Sequence, residues 1–233
     1  MIRNGRKPGL RSSLAGLLLM ISVFSFKLHA QHQDLQGWSS VEAEWEAGSD
    51  LDLSLEIQHR MKGNLRVYDR SMMTGKFGYD LPAGFKITGG LRYQIVKEGD
   101  TYASRYRING DLHYDYPLGP VELGIRSRLQ YGIEDQLMDA VYYDNKLVNR
   151  NRLELKHHIF GTRFTPYGSA EIFQHLNRQG GALFYKMRYA AGIEVLISTT
   201  AEMEVFYMLE DEFNVNNPLL AYIVGIGLEF KIP

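Results

Sequence analysis

From Leu51 to Met61 the sequence reads LDLSLEIQHRM, with Leu51, Leu53, Leu55, Ile57 and Met61 on one parity and Asp52, Ser54, Glu56, Gln58 and Arg60 on the other. A period of two sustained over such a stretch specifies a β-strand with one apolar and one charged face. In FKITGGLRYQI, Phe85, Ile87, Leu91, Tyr93 and Ile95 oppose Lys86, Thr88, Arg92 and Gln94. Further on, Ile108, Leu112, Tyr114 and Tyr116 oppose Arg105, Arg107, Asn109, Asp111 and His113, and Leu123, Ile125, Leu129 and Tyr131 oppose Glu122, Arg126, Arg128 and Gln130. No segment after Phe26 carries a 3.6-residue period or a capped amphipathic helix, so the fold class is all-β. Candidate strands are 38–46, 51–61, 70–80, 85–96, 102–116, 121–133, 150–160, 164–175, 183–196, 200–210 and 219–231.

Alternation alone does not say which face is buried. Strand length does more: most candidates run about 11 to 14 residues, against about 5 to 6 in soluble sheets and about 9 to 11 for a tilted strand crossing a bilayer. The connections alternate tight turns (AGSD, LPAG, PLGP, GTR, STT) with longer polar stretches at 62–69, 97–101, 134–149, 176–182 and 211–218. Short turns on one rim and long loops on the other are the membrane-barrel arrangement. Tyrosines and phenylalanines near strand ends (Tyr79, Phe85, Tyr93, Tyr116, Tyr131, Phe173, Phe230) suit interfacial girdles. The expected architecture is an antiparallel up-and-down transmembrane β-barrel of about 10–12 strands. Eleven candidates conflict with the even number usual in bacterial barrels, so 38–46 either pairs at the seam or has a further short partner in 31–37 or 134–149.

The N-terminus reads as a cleavable export signal over residues 1–30, with a basic start, the apolar run LAGLLLMISVFSF and a cleavage site after Ala30, leaving 31–233 as a single barrel domain. Taking away Arg3, Arg6, Lys7, Arg11 and Lys27 leaves 21 of the 26 basic residues against 27 acidic ones, a charge near −6 that excludes nucleic acid as a natural partner. The absence of cysteine excludes lipidation at cysteine, disulfides and thiolate metal sites. The expected localisation is the bacterial outer membrane. The expected partners are outer-membrane lipid and the barrel-assembly machinery, the chain being a monomer without cofactor.

Several stretches carry a family resemblance: GWSSVEAEW opening on Trp38, LEIQHR ending at Arg60, GGLRY around Arg92, NRNRLEL from Asn149 to Leu155, and PYGSAEIF from Pro166 to Phe173. Together they resemble the bacterial family known as domain of unknown function 2490, over essentially the whole mature chain. The resemblance implies an exported outer-membrane barrel and no particular chemistry. One departure is the ending LEFKIP, which places Phe230 three residues before the terminus where such barrels commonly finish on an aromatic residue.

With the apolar face towards lipid, the interior would carry Glu56, Arg60, Lys86, Arg92, Arg105, Arg107, Asp111, Glu122, Arg126, Arg128, Arg152, Glu154, Lys156, Glu171, Lys186, Arg188, Glu194, Glu202 and Glu204. Of these, Glu56, Arg60, Arg92, Arg105, Arg107, Arg126, Arg128, Arg152 and Glu171 form the candidate lumen charge cluster. A barrel of about eight strands is filled by its own side chains and an aqueous channel takes about sixteen, so this lumen would be narrow and its charges paired. The network would be structural, or would make a selective pore or ligand site around Arg105, Arg107, Arg126 and Arg128, whose forked donors suit carboxylates and phosphates. The longest connection, 134–149, carries acids and Tyr142 and Tyr143, the makings of a recognition surface outside the cell.

Two rival classes remain. A lipid hydrolase could draw on Ser169, Glu171 and His175, which share one parity, although i, i+2 spacing along a strand is not a triad signature and the chain is read as no enzyme. A soluble periplasmic β-sandwich or small binding barrel would invert the faces, with Leu53 and Ile57 in a core and Arg126 and Arg128 in water. No metal site is expected: His157 and His158 are adjacent and point to opposite faces of a strand. GIG at Gly225–Gly227 lies inside a strand, where small residues make room for bulky lumen neighbours.

Overall fold

The structure, a computed structural model, describes residues 32–135, 146–177 and 184–232. The expected export signal, most of the connection 134–149 and Pro233 lie outside the described residues.

The strand patterning resolves into eleven strands among the described residues: β1 (His32–Glu46), β2 (Leu51–Lys62), β3 (Val67–Leu81), β4 (Phe85–Glu98), β5 (Thr101–Leu118), β6 (Val121–Asp135), β7 (Lys146–His157), β8 (Phe164–His175), β9 (Phe184–Ser198), β10 (Ala201–Glu212) and β11 (Leu219–Ile232). Each pairs antiparallel with the next, and β1 closes the barrel against β11. An odd number of up-and-down strands brings the first and last to the seam pointing the same way, so this one ladder is parallel, running from His32 opposite Leu219 to Trp45 opposite Ile232. That answers the even-number conflict: residues 32–37 extend β1 and supply no twelfth strand.

The faces separate as the alternation predicts. Leu53, Ile57, Leu91, Leu129 and Leu155 lie on the outside, each at least 44% exposed. Glu171, Glu210, Asp111 and Arg150 are buried on the inside. A soluble sandwich would have the reverse, and Phe173, expected in an outer aromatic girdle, is also buried inside because it shares parity with Glu171.

Strand ends reach further than the sequence pattern. Residues 146–149 belong to β7, and the expected loop at 97–101 is a two-residue turn at Gly99–Asp100. The unequal rims therefore rest on two longer connections, 136–145 and 176–183, while 213–218 is no longer than 158–163 on the other rim and 63–66 and 99–100 are as short as the remaining turns. Conversely the GTR turn is part of a wider connection over 158–163. Polarity alternation fades near a rim, where both faces of a strand meet polar surroundings, so the pattern stops before the hydrogen-bond ladder does.

Part of the inner wall at the seam is apolar. Trp38, Ala221 and Ile223 pack together with Phe206, Met208 and Leu219 against them. Gly225 permits this: a Cβ there would stand 2.0 Å from the Phe206 ring. Gly192 likewise leaves space for Tyr167, whose ring carbons would lie 2.7–2.8 Å from an added Cβ.

Candidate functional site

The interior holds a cavity of about 760 Å³, lined by nine arginines: Arg60, Arg70, Arg92, Arg107, Arg126, Arg128, Arg150, Arg152 and Arg188. Each reaches it because an inward parity on its strand coincides with a position away from the short-turn rim. The register then opposes like charges. Arg60 faces Arg70, Arg92 faces Arg107, Arg126 faces Arg152 and Arg128 faces Arg150. Nearer the short-turn rim, Glu42 faces both Glu56 and Glu229, Glu229 faces Glu202, and Glu204 faces Glu194. The lumen therefore has an arginine belt at mid-depth and an acidic end at the short turns.

Directly opposed like charges destabilise a sheet, so each requires a partner elsewhere. Glu171 on β8 is the hub: Arg126 donates to Oε1 at 2.6 Å, Arg150 donates to Oε2 at 2.8 Å and to Oε1 at 3.2 Å, and Arg188 lies at 3.7 Å. Arg188 donates to Glu210 at 2.6 Å, and Lys186 to the same carboxylate at 2.8 Å. Asp111 accepts from Nε of Arg128 at 2.7 Å, and Arg92 reaches Glu56 at 3.3 Å and Thr74 at 2.8 Å. In the acidic end, Lys76 bridges Glu42 at 2.8 Å and Glu56 at 3.6 Å, Lys156 takes Glu194 at 2.6 Å, Arg152 pairs with Glu154, Lys86 with Asp52, and Tyr167 donates to Glu204.

Cations exceed carboxylates in the belt. Neither Arg60 nor Arg107 meets a carboxylate among the described residues. Arg60 donates to Gln58 through Nε and Nη2 at 3.1 and 2.7 Å and lies 3.5 Å over the Trp38 ring. The Nε of Arg107 is buried without a hydrogen-bond partner, as are those of Arg126 and Arg152.

Eight of the nine cluster residues expected from the sequence, Glu56, Arg60, Arg92, Arg107, Arg126, Arg128, Arg152 and Glu171, line the cavity. Arg105 does not: it lies near the start of β5 and pairs with Glu98. The grouping of Arg105, Arg107, Arg126 and Arg128 is thus not one site, since Arg126 and Arg128 are held by Glu171 and Asp111. Arg70, Arg150, Glu210 and Trp38 were missed. The alternation Arg150, Arg152, Glu154, Lys156 carried the signal for Arg150, hidden by starting its strand at that residue.

The alternative chemistries fare differently. Ser169 and His175 are six positions apart on β8, about 20 Å along an extended strand, so they make no dyad. His175 stacks on Tyr185 with ring centroids 4.0 Å apart, and the Glu171 carboxylate is taken by guanidinium groups. Among the described residues no three His, Asp or Glu side chains are placed to hold a metal ion.

A family model described as a protein of unknown function (DUF2490) matches residues 35–218. The chain belongs to that family. The match runs from within β1 to the end of the last connection and so covers β2 to β10, with β11 beyond it. No curated protein matches the chain. Among solved structures, this DUF2490 barrel is similar to the NanC porin, with a TM-score of 0.51 and 14% identity over 85% of this chain and 99% of that one. It is also similar to the beta domain of the Bordetella autotransporter BrkA (TM-score 0.49, 11% identity, 76% of this chain and 82% of that one) and to the translocator domain of the autotransporter NalP from Neisseria meningitidis (TM-score 0.45, 11% identity, 86% and 90%). The NanC likeness supports the barrel fold and says nothing of substrate.

Proposed function

We propose that this DUF2490 protein is an integral outer-membrane β-barrel, a monomer in contact with outer-membrane lipid and delivered by the export signal and the barrel-assembly machinery. Its charge-paired lumen braces the wall and leaves at most a narrow, selective path. It is not an enzyme. The observation that carries this reading is the inside-out distribution of side chains. Leu53, Ile57, Leu91, Ile108, Leu129, Leu153 and Val224 stand exposed around the circumference, a far larger apolar surface than a soluble monomer tolerates. Hydrocarbon stabilises such a band, and a closed ladder leaves no backbone edge unsatisfied in it. With the longer connections outside the cell, β11 would end in the periplasm and β1 would begin at the outer rim.

Fractionation and gel mobility test the reading together. The protein should leave the membrane fraction only with detergent and migrate faster unboiled than boiled on a denaturing gel. Release with the periplasmic contents on osmotic shock would overturn it. The pore version is separable: purified protein in planar bilayers that shows no conductance steps would count against a pore and leave the lumen as a brace.

A further inference from the structure

We infer that the mid-lumen arginine belt is a binding site for a small acidic solute carrying a carboxylate or phosphate group, seated on Arg107 and Arg60. The inference rests on the barrel reading above and does not require that the lumen conduct.

Two guanidinium groups lack a carboxylate in a region otherwise organised to supply one. Arginine stays charged even when buried, so a guanidinium held in a low-dielectric wall without a carboxylate favours an added counter-charge. Around Arg107 the strongest acting charges are themselves arginines, Arg92, Arg70, Arg188 and Arg128. Around Arg60 they are Arg188, Arg70 and Arg92 ahead of Glu210. The positive side chains thus converge on one space, and the buried Nε of Arg107 has no protein acceptor. Forked donors of this kind take planar carboxylates and phosphates bidentately. The cavity volume, about 760 Å³, lies in the range of small-molecule sites. Trp38 beneath Arg60 gives the site an apolar floor. Glu202, Glu204 and Glu229 repel an anion from the short-turn side, so the solute approaches from the long-loop rim.

Trp38 also makes the test direct. The chain has two tryptophans, and Trp45 is on the outer face, so Trp45→Phe leaves Trp38 as the sole indole reporter inside the lumen. The detergent-solubilised full-length protein is titrated with gluconate, glucose 6-phosphate and glucose. At least one of the two acids should change Trp38 emission saturably and glucose should not. A response to one acid only supports the site and says which oxyanion it takes. Arg107→Gln should weaken binding about tenfold to a hundredfold while keeping heat-modifiable migration. If that variant does not fold, Arg107→Lys, which keeps the charge and loses the fork, should fold and bind more weakly than the parent. A folded, heat-modifiable barrel that responds to neither acid, that responds equally to glucose, or whose affinity is unchanged in both Arg107 variants overturns the site and leaves the barrel reading standing. Loss of heat-modifiability in the unmutated protein would overturn the barrel reading instead.

Discussion

Replacing Glu171 by glutamine tests whether the lumen is held together by its charge pairs. The side chain is 6% exposed and holds Arg126 at 2.6 Å, Arg150 at 2.8 Å and Arg188 at 3.7 Å. Glutamine keeps the shape and one acceptor oxygen but removes the charge. Hydrogen bonds to a charged partner contribute about 1.5–3 kcal/mol each, and one of the two short contacts survives as a weaker neutral bond. Removing one partner of a buried pair costs about 3–5 kcal/mol, and the hydrogen bond that glutamine retains brings the expected loss to the lower end, about 3 kcal/mol. With an m-value of about 1–3 kcal/mol/M, the urea midpoint should fall by about 1–3 M, followed in detergent micelles by the loss of fast gel migration. Adding Arg150→Gln to Glu171→Gln removes one stranded guanidinium and should recover part of the loss. A midpoint lowered by less than about 0.2 M, with the double variant no better, would refute the idea that Glu171 organises the lumen.

Leu55→Arg places a charge on the outer face opposite Ala43 and Gly75 and should cost about 2–4 kcal/mol near the membrane midplane, seen as reduced heat-modifiable protein in the membrane fraction. The parallel seam sets Ser40 opposite Gly227 in a chain without cysteine, so oxidation of a Ser40→Cys, Gly227→Cys variant should give one intrachain crosslink across β1 and β11, detected by peptide mass. Failure to crosslink would argue for ten-strand closure without β1. Gly225→Ala forces Phe206 aside from a 2.0 Å approach and should lower the urea midpoint by the equivalent of about 1–3 kcal/mol, with Gly110→Ala, where nothing lies within 4 Å of an added Cβ, as the neutral comparison.

Which face turns inward rested on strand length and the rhythm of the connections, but the strand segments and the division of each into an apolar and a charged face were legible in the sequence because each depends only on a local period of two. That period survives whatever the rest of the chain does. Its blind spots were also local: Arg150 and the first residues of β7 were lost where alternation weakens at a rim, and Phe173 was assigned by its nearness to a strand end when parity placed it inside. Closure was not legible. Whether β1 pairs with β11 depends on meeting a strand almost two hundred residues away, and only the completed cylinder makes that ladder parallel. The charge cluster shows the same division. That Arg60, Arg92, Arg107, Arg126 and Arg128 share the charged face follows from parity, which a single strand determines, and that face is the interior once the apolar one meets lipid. Which arginines find a carboxylate and which do not is decided by register between strands and by reach across the lumen, so only the tertiary structure could bring Arg126, Arg150 and Arg188 to Glu171 and leave Arg60 and Arg107 without one.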